Sequence, residues 1–359
     1  MTARPDPAWP LNLIELEAAA AERLDPMAYD YYRSGAGDEI TLERNRAAFA
    51  EVRLLPHVLR DVSEIDLETE LLGSPASMPV VVAPTAFHGL ADPAAEPATA
   101  RGAAAAGAIF CLSSLSNTPL EEVTEGGGRR WFQLYVFKDR GLTRELVQRA
   151  EAAGYEAIVL TADAPVLGRR ERDMRNAFAL PDHLTIACVD DAVAAEAGES
   201  GLAAYFASQI DPSLDWGDLE WLVDSSALPV VVKGVHRADD AGRALESGAE
   251  GLIVSNHGAR QLDTVPATIE LLPPIAEAVG DQVEVLVDGG IRRGTDVVKA
   301  LCLGARGVLV GRPILWGLAV GGEQGVRRTL DMLRRELSEA MALCGVSRPG
   351  ELGPELLAG

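Results

Sequence analysis

The stretch Ser255-Asn256-His257-Gly258-Ala259-Arg260-Gln261-Leu262-Asp263 sets a base and a fixed cation directly after the apolar run Gly251-Leu252-Ile253-Val254. His257 can accept a proton near neutral pH. Arg260 stays charged and can grip a carboxylate through two parallel hydrogen bonds. Together they suit an acid substrate that must lose a proton. Taken alone, the stretch fits equally well a strand-end histidine bonded to backbone, beside an arginine in a surface ion pair. The rest of the chain shifts that balance.

Several other apolar runs end in residues of the same kind. In order they close with Ala83-Pro84-Thr85-Ala86, Ser113-Ser114, Gln133-Leu134-Tyr135, Thr161-Ala162-Asp163, Lys233-Gly234, Asp288-Gly289-Gly290-Ile291-Arg292 and Gly311-Arg312. Random solvent-facing loops would not place Lys, His, Asp, Arg, Gln and Tyr together at one end of the strands. The last two ends read as a phosphate site. Gly289, Gly290 and Gly311 allow close backbone approach, while Arg292 and Arg312 supply charge, at the place where barrels commonly bind phosphate. A lysine such as Lys233 beside an apolar strand is costly to bury without a role.

The elements that must position these residues follow from periodicity. Short β-branched runs predict strands at 79–83, 109–113, 130–135, 157–162, 229–234, 251–255, 284–288 and 307–311. Helical patterns at 93–107, 141–153, 237–248, 266–279 and 294–303 fall between many of them. Fully apolar strands alternating with helices argue for a parallel sheet covered by helices, and eight such units for an α/β fold of the closed (β/α)8 barrel type. The rival is a doubly wound open sheet. Its dinucleotide version wants G-x-G-x-x-G after an early strand, where this chain has Ala83-Pro84-Thr85-Ala86.

Residues 1–359 read as one domain: an N-terminal helical extension over 1–70, a barrel over 71–320 and a C-terminal helical segment over 321–359. The extension carries an amphipathic pattern around Leu13 to Leu24 and the cluster Tyr29-Asp30-Tyr31-Tyr32. The long, acidic, alanine-rich stretch 176–217 after the fourth strand shows no clear strand and reads as a lid loop.

Composition narrows the function classes. A formal net charge of -22 and the lack of any Lys/Arg-rich run argue against nucleic acid and against anionic membrane surfaces. The apolar region Ala300 to Gly322 is interrupted by Arg306 and Arg312, so no membrane span is expected. Cys111, Cys188, Cys302 and Cys344 lie far apart and read as core residues in a reducing, cytoplasmic setting, with no metal site. The first ten residues carry prolines and an aspartate where an export signal needs an apolar segment.

On these residues the chain resembles the FMN-dependent 2-hydroxy acid oxidases and dehydrogenases, the family of glycolate, lactate and mandelate enzymes. The most specific match is Ser-Asn-His-Gly-x-Arg-Gln-Leu-Asp, reinforced by Gly168-Arg169-Arg170 and Val287-Asp288-Gly289-Gly290-Ile291-Arg292. The resemblance implies FMN as cofactor, a small 2-hydroxy acid as substrate, and a homotetramer. It implies that His257 is the active-site base and that Asp163 orients it and stabilises the imidazolium. Arg260 and Arg170 would bind the substrate carboxylate with help from Tyr31, and Tyr135 would hydrogen-bond the reacting oxygen. Lys233 would stand at the flavin N1/O2 edge, where a fixed cation favours the reduced form. The implied FMN-binding positions are the Ala83, Pro84, Thr85 and Ala86 backbone, then Ser113, Gln133, Thr161 and Ser255, then Asp288, Gly290, Arg292, Gly311 and Arg312.

The reaction so implied is oxidation of an (S)-2-hydroxy acid to the 2-oxo acid. The proton leaves either the hydroxyl, with hydride passing to flavin, or the α-carbon through a carbanion. Ala86 stands where oxidases of the family tend to carry alanine, so molecular oxygen is the implied acceptor and hydrogen peroxide the product. Leu115 stands where glycolate-type members carry tryptophan, and Val166 and Leu167 add aliphatic walls. The opened room, together with Asp173-Met174-Arg175-Asn176 and Phe178-Ala179-Leu180-Pro181, resembles 4-hydroxymandelate oxidases and implies a mandelate-type substrate. The alternatives are a small aliphatic acid such as lactate or glycolate, a quinone-linked dehydrogenase, and a non-catalytic FMN-binding barrel, against which the intact His257, Arg260 and Lys233 argue. Ala259 departs from the family's usual glycine and would be strained if its backbone needs a positive φ.

Overall fold

Each expected apolar run forms a strand, and in the computed structural model, which describes residues 9–189 and 205–358, the eight close into one parallel barrel. A short antiparallel hairpin, β1 (Thr69–Leu71) and β2 (Ser74–Ala76), comes first. The barrel strands are β3 (Val80–Val82), β4 (Ile109–Ser113), β5 (Arg130–Leu134), β6 (Ile158–Thr161), β7 (Val230–Val235), β8 (Gly251–Val254), β9 (Glu284–Asp288) and β10 (Gly307–Val310). The ring closes where β10 pairs with β3, Val308 opposite Val80.

The side chains alternate between two cores, as the period of two in a strand requires. Val81, Ile109, Val159, Val231, Ile253 and Leu309 pack together in one buried cluster. Their neighbours, such as Val80, Val82, Ile158 and Val232, join the cluster shared with the surrounding helices. Each such burial contributes about 1.5–3 kcal/mol relative to exposure. The hairpin belongs to the first cluster through Leu71 and Ala76. Trp131 Nε1 donates to Ser74 Oγ at 3.3 Å, and Leu72 N to Glu284 Oε2 at 2.8 Å. The hairpin therefore plugs the end of the barrel opposite the strand C-termini, and it straddles the 70/71 division expected from sequence.

The expected outer helices appear at Ala95–Ala105, Arg140–Ala152, Ala238–Glu246, Thr268–Val279 and Gly294–Cys302. The acidic stretch differs from its reading as plain loop. Within it, residues 205–209 are helical and Ile210 bridges Phe137, and at its end a helix, Trp216–Ser225, begins. The physical cause of the last is a capping box: the Asp215 side chain accepts from Gly217 N and Asp218 N, while Asp218 accepts from Asp215 N. Residues 190–204 of that stretch lie outside the described residues.

Among the described residues three helices precede the barrel: α1 (Leu13–Ala21), α2 (Pro26–Arg33) and α3 (Ile40–Glu51). Asn12 caps α1 and Asp25 caps α2. The residue before α3, Glu39, sits at φ 62 and makes no cap of its own. Asp263, from the distant motif, takes that role by accepting from Thr41 N at 2.8 Å and Asp38 N at 3.0 Å. The last helix, Arg312–Cys344, starts at the end of β10 and breaks at Gly321-Gly322. Among the described residues no helix is long and apolar enough to cross a membrane. All four cysteines are free and buried.

Candidate active site

The C-terminal ends of the barrel strands converge on one pocket of about 1040 Å³, open solvent at its mouth included. β3 contributes Ala83 to Ala86, β4 Ser113 and Leu115, β5 Gln133 and Tyr135, and β6 Thr161. β7 contributes Lys233, and the loop after β8 contributes His257 and Arg260. β9 adds Asp288, Gly290 and Arg292, and β10 adds Gly311 and Arg312. Tyr31 comes from α2 and Arg170 from the loop after β6. Two expected site residues, Asp163 and Ser255, stand behind this lining and act on it through hydrogen bonds.

His257 occupies an unusual backbone. It, Gly258 and Ala259 are successive left-handed residues at φ 57, 61 and 62. For an L-residue this conformation costs roughly 1–2 kcal/mol, so the surroundings must hold it. Asn256 does so locally, its Oδ1 accepting from Ala259 N at 3.1 Å. The methyl of Ala259 therefore does sit at a positive φ, and it is buried.

The turn aims the imidazole at Asp163, with Nδ1 2.9 Å from Oδ1. A carboxylate there keeps the ring proton on Nδ1 and leaves Nε2 as the base. Burial lowers the pKa of His257 below its ordinary value, and Asp163 opposes that shift without reversing it. Burial pushes the Asp163 carboxyl up, but His257, Lys233 and His236 outweigh it and leave the group ionised more readily than usual. Asp163 Oδ2 is buried and has no hydrogen-bond partner.

A second polar cluster lies on the adjoining strands. Lys233 Nζ donates to Ser255 Oγ at 2.8 Å and pairs with Asp288 Oδ2 at 3.2 Å. Ser255 in turn donates to Asp288 Oδ2 at 2.9 Å and accepts from His257 N at 3.1 Å. Burial would discharge Lys233, yet Asp288 and Asp163 raise its pKa and keep the cation. Gln133 is held between strands: its Oε1 accepts from Ser113 Oγ and its Nε2 donates to Thr161 Oγ1, both at 3.0 Å.

The arginines stand close together, and the carboxylates that act on them, Asp173 on Arg170 and Glu17 and Asp296 on Arg292, offset only part of the cost of burying them. Burial, then Arg260, pushes the Arg170 pKa down to about 10, and burial pushes Arg292 down to about 10 as well. Arg312 is lowered further by burial, Arg260 and Arg292. Buried, mutually repelling guanidiniums call for an anion. Among the described residues Arg292 Nε, a donor, and Asp288 Oδ1, an acceptor, are buried with no partner, on two residues that line the same pocket. A Cβ on Gly290, at φ 85, would lie inside contact distance of the Asn45 carbonyl oxygen, so only glycine lets this turn sit so close. A phosphate with a hydroxylated chain, as in FMN, fits this donor set.

Some contacts differ from the sequence reading. Arg260 commits Nη1 to the carbonyls of Tyr31 at 2.6 Å and Ser34 at 3.0 Å, and its guanidinium lies 4.9 Å from the Tyr31 ring centre. Its fork is thus partly spent on holding α2. Arg312 does similar work, bonding the carbonyls of Tyr32, Ser34 and Gly258 at 2.8–2.9 Å. Val166 is no pocket wall: it is 66% exposed, its carbonyl taking Gln261 Nε2 at 2.8 Å. Leu167 does line the pocket.

Sequence reasoning missed Phe206, a buried pocket residue whose ring meets Tyr135 edge-on at 5.2 Å. It also missed Phe178 as a partner for Tyr31, stacked at 4.2 Å and 11°. The one local signal for Phe206 is the aromatic pair Tyr205-Phe206 in an otherwise alanine-rich stretch.

A sequence profile described as FMN-dependent dehydrogenase matches residues 20–359. The chain is 54% identical over 357 residues to an L-lactate oxidase of Nostoc sp., covering 97% of this chain and 98% of that one. It is 52% identical to glycolate oxidase 1 of Zea mays, covering 95% and 94%. A crystal structure of mandelate oxidase with (S)-4-hydroxymandelic acid superposes with a TM-score of 0.92 at 43% identity, covering 96% of this chain and 99% of that one.

Proposed function

The chain belongs to the FMN-dependent dehydrogenase family and is a 2-hydroxy acid oxidase, and from that premise we propose that its substrate is a short (S)-2-hydroxy acid of lactate size. The observation that carries the reaction is the His257–Asp163 pair, 2.9 Å apart, beside a pocket edged by buried guanidiniums. FMN, when bound, supplies the two-electron acceptor between the acid and oxygen.

The protein's own residues do the rest. Arg170, Arg260 and Tyr31 hold the substrate carboxylate, and the Tyr135 hydroxyl meets the oxygen on the reacting carbon. His257 takes one proton at Nε2, and Asp163 stabilises the positive ring that results. The acid loses two electrons and two protons to become the 2-oxo acid, and oxygen gains the same to become hydrogen peroxide. Toward the cofactor, Arg292, Arg312 and the Gly290 and Gly311 backbone would take the phosphate. Asp288, with Oδ1 unpaired, would take a ribityl hydroxyl. Ala83 to Ala86, Ser113, Gln133 and Thr161 would line the ring system, with Lys233 and Ser255 supplying the buried cation beside it.

Two observations support a short substrate. The chain shares more identity with the lactate and glycolate oxidases than with mandelate oxidase. Phe206 also adds an aromatic ring to the pocket lining, edge-on to Tyr135, which takes up space a larger acid would need. The mandelate-type acid implied by Leu115 is the second reading, favoured by the likeness to mandelate oxidase. A homotetramer, as the family resemblance implies, in the cytoplasm, as the separated cysteines imply, completes the proposal, and sedimentation of the purified protein tests its assembly.

The deciding experiment mixes the purified yellow protein anaerobically with (S)-lactate, glycolate, (S)-mandelate and 4-hydroxymandelate in turn, then admits oxygen. Fastest bleaching by lactate, followed by recolouring and peroxide, is the expected result. Faster bleaching by the aryl acids would move the assignment to the second reading. Bleaching without recolouring would point to another electron acceptor, and no bleaching by any acid would overturn the substrate class.

A further inference from the structure

The loop that carries His257 is strapped to a helix of the N-terminal extension. Asp263 caps α3 through Thr41 N and Asp38 N, Thr41 Oγ1 donates to Val265 O at 3.0 Å, and Arg44 pairs with Glu270. At the centre of this strap lies Asn45, only 2% exposed. Its Nδ2 donates to Asn256 Oδ1 at 2.9 Å, and its Oδ1 accepts from Asn256 Nδ2 at 2.8 Å. A reciprocal amide pair of this kind fixes both side chains in one orientation, since a flip of either would set like groups face to face.

Asn256 is the residue whose Oδ1 also caps the left-handed His257-Gly258-Ala259 turn. Asn45 reaches the other half of the pocket as well. Its Oδ1 accepts from Thr268 N at 3.4 Å, and the Thr268 hydroxyl bonds the Asp288 carbonyl. Its own carbonyl oxygen packs against Gly290 so closely that no Cβ would fit. One buried side chain of a helix outside the barrel therefore touches the supports of both the base and the Asp288–Gly290 turn.

We propose that Asn45 is a positioning residue that holds the strained His257 turn and the Asp288–Gly290 turn in register across the pocket. The inference rests on the oxidase reading, because it acts through His257. The strain gives it physical force. A turn of three left-handed residues relaxes unless its cap is held, and relaxation displaces the imidazole from Asp163 and from the acid. A misplacement of about 1 Å at a reacting group can slow a reaction about a hundredfold.

The test compares Asn45→Ala and Asn45→Asp with a control, Leu330→Ala, which removes a buried side chain of the C-terminal helix that does not line the pocket. FMN content, thermal midpoint, kcat and KM are measured for each holoprotein with the best acid. Asn45→Ala is expected to lower kcat about tenfold or more while KM stays within about threefold, since the arginines that grip the acid are untouched. Asn45→Asp keeps the Oδ1 contacts but sets a second carboxylate oxygen against Asn256 Oδ1, and is expected to lower kcat at least as much. If Asn45→Ala does not fold, Asn45→Asp decides by the same split. A kcat within about twofold of the unaltered enzyme, or a loss no larger than that of Leu330→Ala at a similar thermal midpoint, overturns the proposal. Failure of the unaltered enzyme to be reduced by any acid would instead count against the oxidase reading.

Discussion

Replacing Asp163 by Asn tests the central pair most directly. The substitution keeps the shape and a carbonyl oxygen able to accept the Nδ1 proton, and it removes only the charge. With Oδ1 2.9 Å from Nδ1, the two charges approach at least as closely as about 4 Å, where an effective dielectric of about 20 gives an attraction of about 4 kcal/mol. The hydrogen bond retained by the amide offsets about 1 kcal/mol of that loss. About 3 kcal/mol remains, which is roughly two decades in rate. Anaerobic rapid mixing with saturating acid reads this as the rate of flavin bleaching, with KM nearly unchanged because the carboxylate grip is elsewhere. Since Asp163 works against the burial that lowers the His257 pKa, its removal should also shift the acid limb of the pH profile to lower pH. A loss under about fivefold, or one confined to KM, would refute the idea that Asp163 stabilises the charged ring.

Further outcomes follow from the same geometry. With neutral His257 as the proposed base and its pKa held below the ordinary value by burial, kcat/KM should hold steady down through the usual imidazole range and fall only at lower pH, where the ring protonates; a pH profile with an acid limb above about 6.5 would contradict this. Lys233→Met leaves the Asp288 carboxylate buried without its cation, with an expected loss of about 3–5 kcal/mol of stability and slower flavin reduction, read by denaturant unfolding and anaerobic mixing. Ala259→Gly relieves about 1–2 kcal/mol of strain at φ 62 but forfeits about 0.8 kcal/mol of buried methyl and about 0.4–1 kcal/mol to the freer unfolded chain, so stability should stay within about 1 kcal/mol, with the thermal midpoint as the measure.

What the sequence by itself determined is what depends on local order. An apolar run buried on both faces must be a strand inside a covered sheet, whatever lies far away, so the barrel was legible from runs such as Val230-Val231-Val232 and Gly251-Leu252-Ile253-Val254. Polar residues placed just past such runs had to share one mouth, because parallel strands all point the same way, and the structure gathers Lys233, His257, Asp288 and Arg312 there. The tertiary structure alone decided contacts between distant segments. Nothing local marks Asn45 as the partner of Asn256, or Asp263 as the cap of α3, because neither residue type nor spacing encodes which helix docks where. The same holds for Phe206, brought to Tyr135 by the pairing of Ile210 with Phe137, and for the hairpin whose Leu71 plugs the barrel. The left-handed turn at His257 is the sharpest case. Its motif could be read in order along the chain, but a backbone that local energetics disfavour exists only because buried partners from other elements hold it.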